Sequence, residues 1–124
     1  MKMRVYYDDT DAGGIVYHSN YLKFCERARS EYVFSALNTQ PFKDEFCFVV
    51  KEIHAKFMRS AVLGDIIDVR TKCVQLKAAS AILRQEIYRD DELLFSADIN
   101  VAHLSYGRPA KMSEQTKALL ANIS

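Results

Sequence analysis

Apolar and polar positions change their spacing twice along this chain. Residues 3–8 alternate and are rich in Val and Tyr, which predicts a short strand. Asp9 to Tyr17 holds adjacent glycines and reads as a loop. From Ser19, a fitting N-cap, Tyr21, Cys25, Ala28, Tyr32 and Ala36 recur every three or four residues, which predicts a helix ending near Leu37. After a polar stretch the spacing becomes two. Cys47, Val49, Ile53, Ala55 and Phe57 mark one strand. Further strands are expected over 65–75, 79–89 and 93–104, the last two joined by a tight turn at "RDDE". Ser113 is placed to cap a short final helix carrying Leu119, Leu120 and Ile123.

The order is strand, long helix, then four strands with short connections, which makes the strands antiparallel neighbours. A sheet with one face to cover and a helix with an apolar stripe satisfy each other when the sheet wraps the helix. The expected architecture is a single α+β domain over residues 1–124, with five strands around a long central helix.

Composition narrows the function more than the fold. A net charge of +1 gives no whole-chain field for nucleic acid. Cys25, Cys47 and Cys73 form no CxxC pair, so they read as reduced thiols. "MKMRVYYDD" lacks the apolar region of a signal peptide, and no apolar run approaches the ~20 residues of a membrane helix. The expectation is a cytoplasmic protein with no membrane span.

The chemistry concentrates in "YYDDTDAGGIVYHSNY". Asp9, Asp11 and Gly14 match part of a calcium loop, but Gly13 and Asn20 stand where ligands belong. A haloacid-dehalogenase-type phosphotransferase also begins with strand and D-x-D, yet it needs a parallel sheet. No Gly-rich phosphate loop is present. The remaining chemical reading is an acid/base site at a helix N-terminus. Asp11 lies in the loop and His18 at the helix entrance, where free backbone N–H groups can hold a polarised carbonyl oxygen. Spacing alone leaves a bland alternative open, in which Asp9 and Asp11 cap turns and His18 is a surface residue.

The stretch from Tyr7 through Asp9, Thr10, Asp11, Gly14, Val16, Tyr17, His18 and Tyr21 to Glu26 and Arg29 closely resembles the signature of hotdog-fold, 4-hydroxybenzoyl-CoA thioesterase-like proteins, and most of all their YbgC-type acyl-CoA thioesterases. Weaker likeness runs on through "SAVLGDIIDVRT" to "GRPAKMS". Ser60 replaces a proline common in the family, and the ending departs from the usual K-P-x-x-I-P.

The resemblance implies a hotdog fold, a homodimer or homotetramer, and hydrolysis of an acyl-CoA thioester without a metal or cofactor, CoA being part of the substrate. Asp11 matches the family aspartate that acts as nucleophile or general base. His18 and its backbone N–H would orient and polarise the substrate, and Tyr7 would touch the substrate or position Asp11. Asp9 reads as a turn residue or an ion-pair partner of Arg29. For the CoA phosphates the basic candidates are Arg59, Lys77 with Ser80, and Arg108 with Lys111. A second reading is an acyl-binding or acyl-carrier-protein-docking module tied to phospholipid synthesis or the Tol-Pal envelope system. A dehydratase is a weaker third, since its His and carboxylate arrangement is not found.

Overall fold

The computed structural model describes residues 1–37 and 47–123. Its elements are β1 (Lys2–Arg4), a 3-10 turn (Tyr7–Asp9), α1 (His18–Leu37), β2 (Cys47–Phe57), β3 (Ile66–Leu76), β4 (Ser80–Arg89), β5 (Glu92–Ser105), β6 (Arg108–Pro109) and α2 (Glu114–Ala121). The strands form one antiparallel sheet in the order β1-β3-β4-β5-β2, with β6 on the end of β5. This is the expected hotdog arrangement, with three corrections.

Among the described residues the sheet has six strands, not five, because Tyr106 and Gly107 both take positive φ (50° and 79°) and fold the chain back so that Pro109 pairs with Leu104. The first strand ends at Arg4, not residue 8. Asp9 Oδ2 accepts the Tyr6 N–H at 2.9 Å, and this local bond draws residues 6–9 into a turn. The long helix begins at His18, one residue before the expected N-cap. Ser113, by contrast, caps α2 as expected, its Oγ accepting the Thr116 N–H at 3.1 Å.

Helix α1 turns Tyr21, Phe24, Cys25 and Ala28 towards the sheet. They meet Ile67 and Val69 of β3, Leu83 and Ile87 of β4, and Phe95 and Ile99 of β5 in one core. Burying Phe24 completely contributes about 1.5–3 kcal/mol. Leu120 and Ile123 extend the core, and the Tyr32 hydroxyl donates to the Leu119 carbonyl at 2.9 Å, tying α2 to α1.

A polar side chain also enters the core. Gln85 sits fully buried between Leu83 and Ile87. Its amide donates to the Cys25 carbonyl at 2.9 Å and to Thr71 Oγ1 at 3.0 Å, and its Oε1 accepts from the Arg29 guanidinium at 2.7 Å. Among the described residues, strand β2 pairs on one side only, with β5. Val49, Val50, Ile53, Phe57 and the following Met58 are all exposed along this edge, an apolar row that isolated proteins seldom leave open.

Candidate functional site

The loop between β1 and α1 is stitched to the loop between β2 and β3. The N–H of Val16 donates to the Ala61 carbonyl at 2.9 Å, and that of Leu63 to the Gly14 carbonyl at 3.0 Å. Val5 donates to Asp65 at 2.8 Å and accepts from Gly64 at 2.9 Å. The buried Tyr21 hydroxyl accepts the Ala61 N–H at 2.9 Å. The Tyr21 ring stacks on Phe95 at 5.3 Å and meets Phe57 edge-on at 5.6 Å.

Within that frame the chain makes a tight reversal. Asp11 donates its N–H to the Ile15 carbonyl at 2.9 Å, and Gly14 returns its N–H to the Asp11 carbonyl at 3.1 Å. Gly14 has φ +82°, a conformation that glycine adopts without strain. The Gly13 N–H donates to Asp11 Oδ1 at 2.8 Å, which fixes the carboxylate. Its second oxygen has no hydrogen-bond partner among the described residues, and the residue is exposed. A Cβ on Gly13 would stand 3.2 Å from Oδ1, so a larger residue here would push the carboxylate aside by a few tenths of an ångström.

Asp9 does the opposite work. It is buried, and its backbone carbonyl accepts from the Tyr17 N–H at 3.2 Å and from Asn20 Nδ2 at 2.8 Å. These bonds fix where α1 starts. The Asn20 N–H turns back to the Tyr17 carbonyl at 2.9 Å. The N–H groups of His18 and Ser19, at the first turn, have no backbone acceptor among the described residues.

Asp11, Tyr17, His18, Phe57 and Arg59 line a cavity of about 370 Å³. The His18 ring lies 4.3 Å from Tyr17 and 6.5 Å, edge-on, from Phe57. The arrangement therefore presents an oriented carboxylate, a helix N-terminus and an aromatic wall to one space. Among the described residues no group of three or more His, Cys, Asp or Glu is placed to hold a metal.

The structure separates the other candidates. Arg59 reaches the cavity, although its Nε also pairs with Glu92 at 3.0 Å. Tyr7 does not line it. Its side chain is 82% exposed, while its carbonyl accepts the N–H and hydroxyl of Thr10 at 3.2 and 3.1 Å. Lys77 and Ser80 face each other across the β3–β4 turn, where the Lys77 N–H donates to the Ser80 carbonyl at 2.8 Å, and line a separate small cavity. That turn is at the far end of the sheet from Asp11, on the order of 30 Å along β4. Arg108 lies at that far end too, beside Ser105, and Lys111 precedes Met112, whose N–H bonds the Ala78 carbonyl. Asp9 and Arg29 do not pair, because the Asp9 carboxylate is taken by its own turn and Arg29 turns to Gln85. Phe57 and Asn20 were missed from sequence. The alternation of β2 was the available signal for Phe57, and nothing local announced Asn20.

A profile of the Thioesterase superfamily matches residues 13–96. The chain is 49% identical over 88 residues to "Acyl-CoA thioesterase YbgC" of Helicobacter pylori, an alignment covering 71% of this chain and 65% of that protein. It is 37% identical to the protein of the same name from Haemophilus influenzae, covering 98% of this chain and 93% of the relative. In structure it resembles a probable thioesterase from Bartonella henselae, with a TM-score of 0.80 and 30% identity over 91% of this chain and 96% of the other. No helix among the described residues is long and apolar enough to cross a membrane.

Proposed function

Since the chain belongs to the thioesterase superfamily, we propose that it hydrolyses acyl-CoA thioesters to the free acid and CoA. The observation that carries this reading is the Asp11 carboxylate, oriented by the Gly13 N–H and facing a cavity it shares with the start of α1. In the proposed reaction the thioester oxygen accepts hydrogen bonds from the N–H of His18 or Ser19. Asp11 then attacks the acyl carbon, the C–S bond breaks, and the CoA thiolate leaves. Water hydrolyses the resulting mixed anhydride and frees Asp11. In the alternative route Asp11 takes a proton from the water that attacks. The His18 ring and Phe57 hold the substrate against the helix end. Tyr7 contributes through its carbonyl, which anchors the turn before Asp11.

The CoA rim is proposed to come from two protomers. Arg59 stands near Asp11, while Lys77, Ser80 and Arg108 stand at the other end of the sheet. A two-fold pairing of β2 edges runs the partner's sheet the opposite way and brings that far end towards Asp11. It also covers the apolar row on β2. The proposed site of the reaction, given a CoA substrate, is the cytoplasm.

The test is thiol release from a panel of acyl-CoAs, with light scattering for the oligomer. We expect turnover by the wild type and a loss of about 100-fold or more in Asp11→Asn. Equal rates for the two proteins would remove Asp11 from the reaction. Inactivity on every acyl-CoA, together with capture of acyl carrier protein by both proteins, would replace hydrolysis by a docking role.

A further inference from the structure

Helix α1 and strand β2 enclose a second cavity, of about 460 Å³, beginning where the first stops. His18 and Tyr21 line the first, and Ser19 and Leu22 the second. On β2, Phe57 belongs to one and Ile53 to the other. The second cavity follows one stripe of α1 as far as Val33, and Phe48, Leu83, Ile99 and Val101 give it apolar walls. Its size is that of an ordinary ligand site.

Arg29 is the wall residue that this apolar character does not explain. Its guanidinium is half-buried and, among the described residues, held by one hydrogen bond, to Gln85, which the Cys25 carbonyl and Thr71 fix in turn. A guanidinium has five N–H donors, and among the described residues no carboxylate pairs with this one. Burial lowers its pKa against a smaller opposing pull from Cys25 and Glu26. Lys23 and Glu26, the other charged residues of the cavity wall, are both exposed. A partly desolvated cation with no carboxylate in direct contact is costly unless an acceptor joins it.

We infer that this cavity takes the acyl chain of the substrate, and that Arg29 binds an oxygen acceptor, a carboxylate above all, at the far end of that chain. The inference rests on the thioesterase reading above. The rise along α1 from His18 to Arg29 is about 16 Å, which suits a chain on the order of a dozen carbons. The substrate class is an ω-carboxyacyl or ω-hydroxyacyl thioester in preference to a plain fatty one. A charge-assisted hydrogen bond of this kind is worth about ten- to a hundred-fold in binding.

The experiment compares dodecanoyl-CoA, 12-hydroxydodecanoyl-CoA and dodecanedioyl-CoA. For the wild type, kcat/KM should be about ten-fold or more higher for the dioyl substrate than for dodecanoyl-CoA, with the hydroxy compound between them. Arg29→Met should erase that ranking, and Arg29→Lys should restore part of it. Equal kcat/KM for the three substrates in the wild type, or an unchanged ranking in Arg29→Met, would overturn the inference. Calorimetry with the free acids keeps the test independent of hydrolysis and of the variants' folding. Wild-type protein should bind dodecanedioate more tightly than dodecanoate. If no acyl-CoA is hydrolysed but this preference holds, the catalytic reading fails and the Arg29 site stands. If hydrolysis proceeds and the two acids bind equally, the Arg29 site fails alone. A carboxylate of a partner protomer seated on Arg29 in a crystal would overturn it as well.

Discussion

The Tyr21 hydroxyl accepts the backbone N–H of Ala61 at 2.9 Å, joining the first turns of α1 to the loop that opens β3, with both residues buried. Tyr21→Phe keeps the ring stack on Phe95 and leaves the Ala61 N–H buried without an acceptor. We expect a stability loss of about 1–3 kcal/mol, read from the urea midpoint. An unchanged midpoint would mean that water replaces the hydroxyl.

Gly13 and Gly14 are adjacent but should fail differently. Gly13→Ala puts a methyl group 3.2 Å from Asp11 Oδ1 without requiring a left-handed backbone. It should lower kcat several-fold with little change in melting temperature. Gly14→Ala meets no neighbour but must hold φ +82°, so it should cost about 1–2 kcal/mol of stability. The contrast is checked by pairing each variant's kcat with its thermal melt.

The Arg84–Asp98 pair on β4 and β5 predicts an acid dependence. Two hydrogen bonds, at 2.8 and 3.2 Å, hold the Asp98 carboxyl below its ordinary 3.8, against a smaller desolvation. A lowered folded pKa gives stability that is fully present above the unfolded value and lost as pH falls through the folded one. The melting-temperature gap between wild type and Asp98→Asn should therefore be present at neutral pH and close below 3.8. A gap that stays constant into strong acid would assign the difference to packing. Both side chains are partly exposed, so the gap is small and shrinks with salt.

Burial pushes the Cys25 thiol up to about 12, with Arg29 pulling weakly the other way. Cys25 should stay unlabelled by a thiol reagent at pH 8 in the folded protein and react once denatured, as peptide mapping would show. Labelling in the native state would reveal opening of α1 from the sheet.

The sequence makes the element order, the α2 cap and the hairpin turn legible, because each is written in local spacing. Asp90 and Asp91 do form a two-residue turn, with Arg89 opposite Glu92. What spacing hides is set by partners distant in the chain. The alternation of β4 puts Gln85 on the inward face with Leu83 and Ile87, but nothing local shows what would satisfy a polar side chain there, because its partners lie on α1 and β3. Residues 6–8 look like a continuation of the strand because Tyr6 and Tyr7 favour it, and one side-chain bond from Asp9 outweighs that preference. Asp11 and His18 are near each other in sequence and so were found together. Lys77, Ser80 and Arg108 were grouped with them as residue types that suit the CoA phosphates, and the length of the sheet parts them within one protomer.

The stitching of the two loops bears on the order in which the molecule is built in time. The hairpins β3–β4 and β4–β5 close over turns of a few residues. The bonds of Val5, Gly14, Val16 and Tyr21 to residues 61–65 must each close a loop of some forty to sixty residues. During refolding the sheet signal in circular dichroism should appear first and thioester cleavage later, so that a chain can carry nearly all its strands and still be catalytically silent.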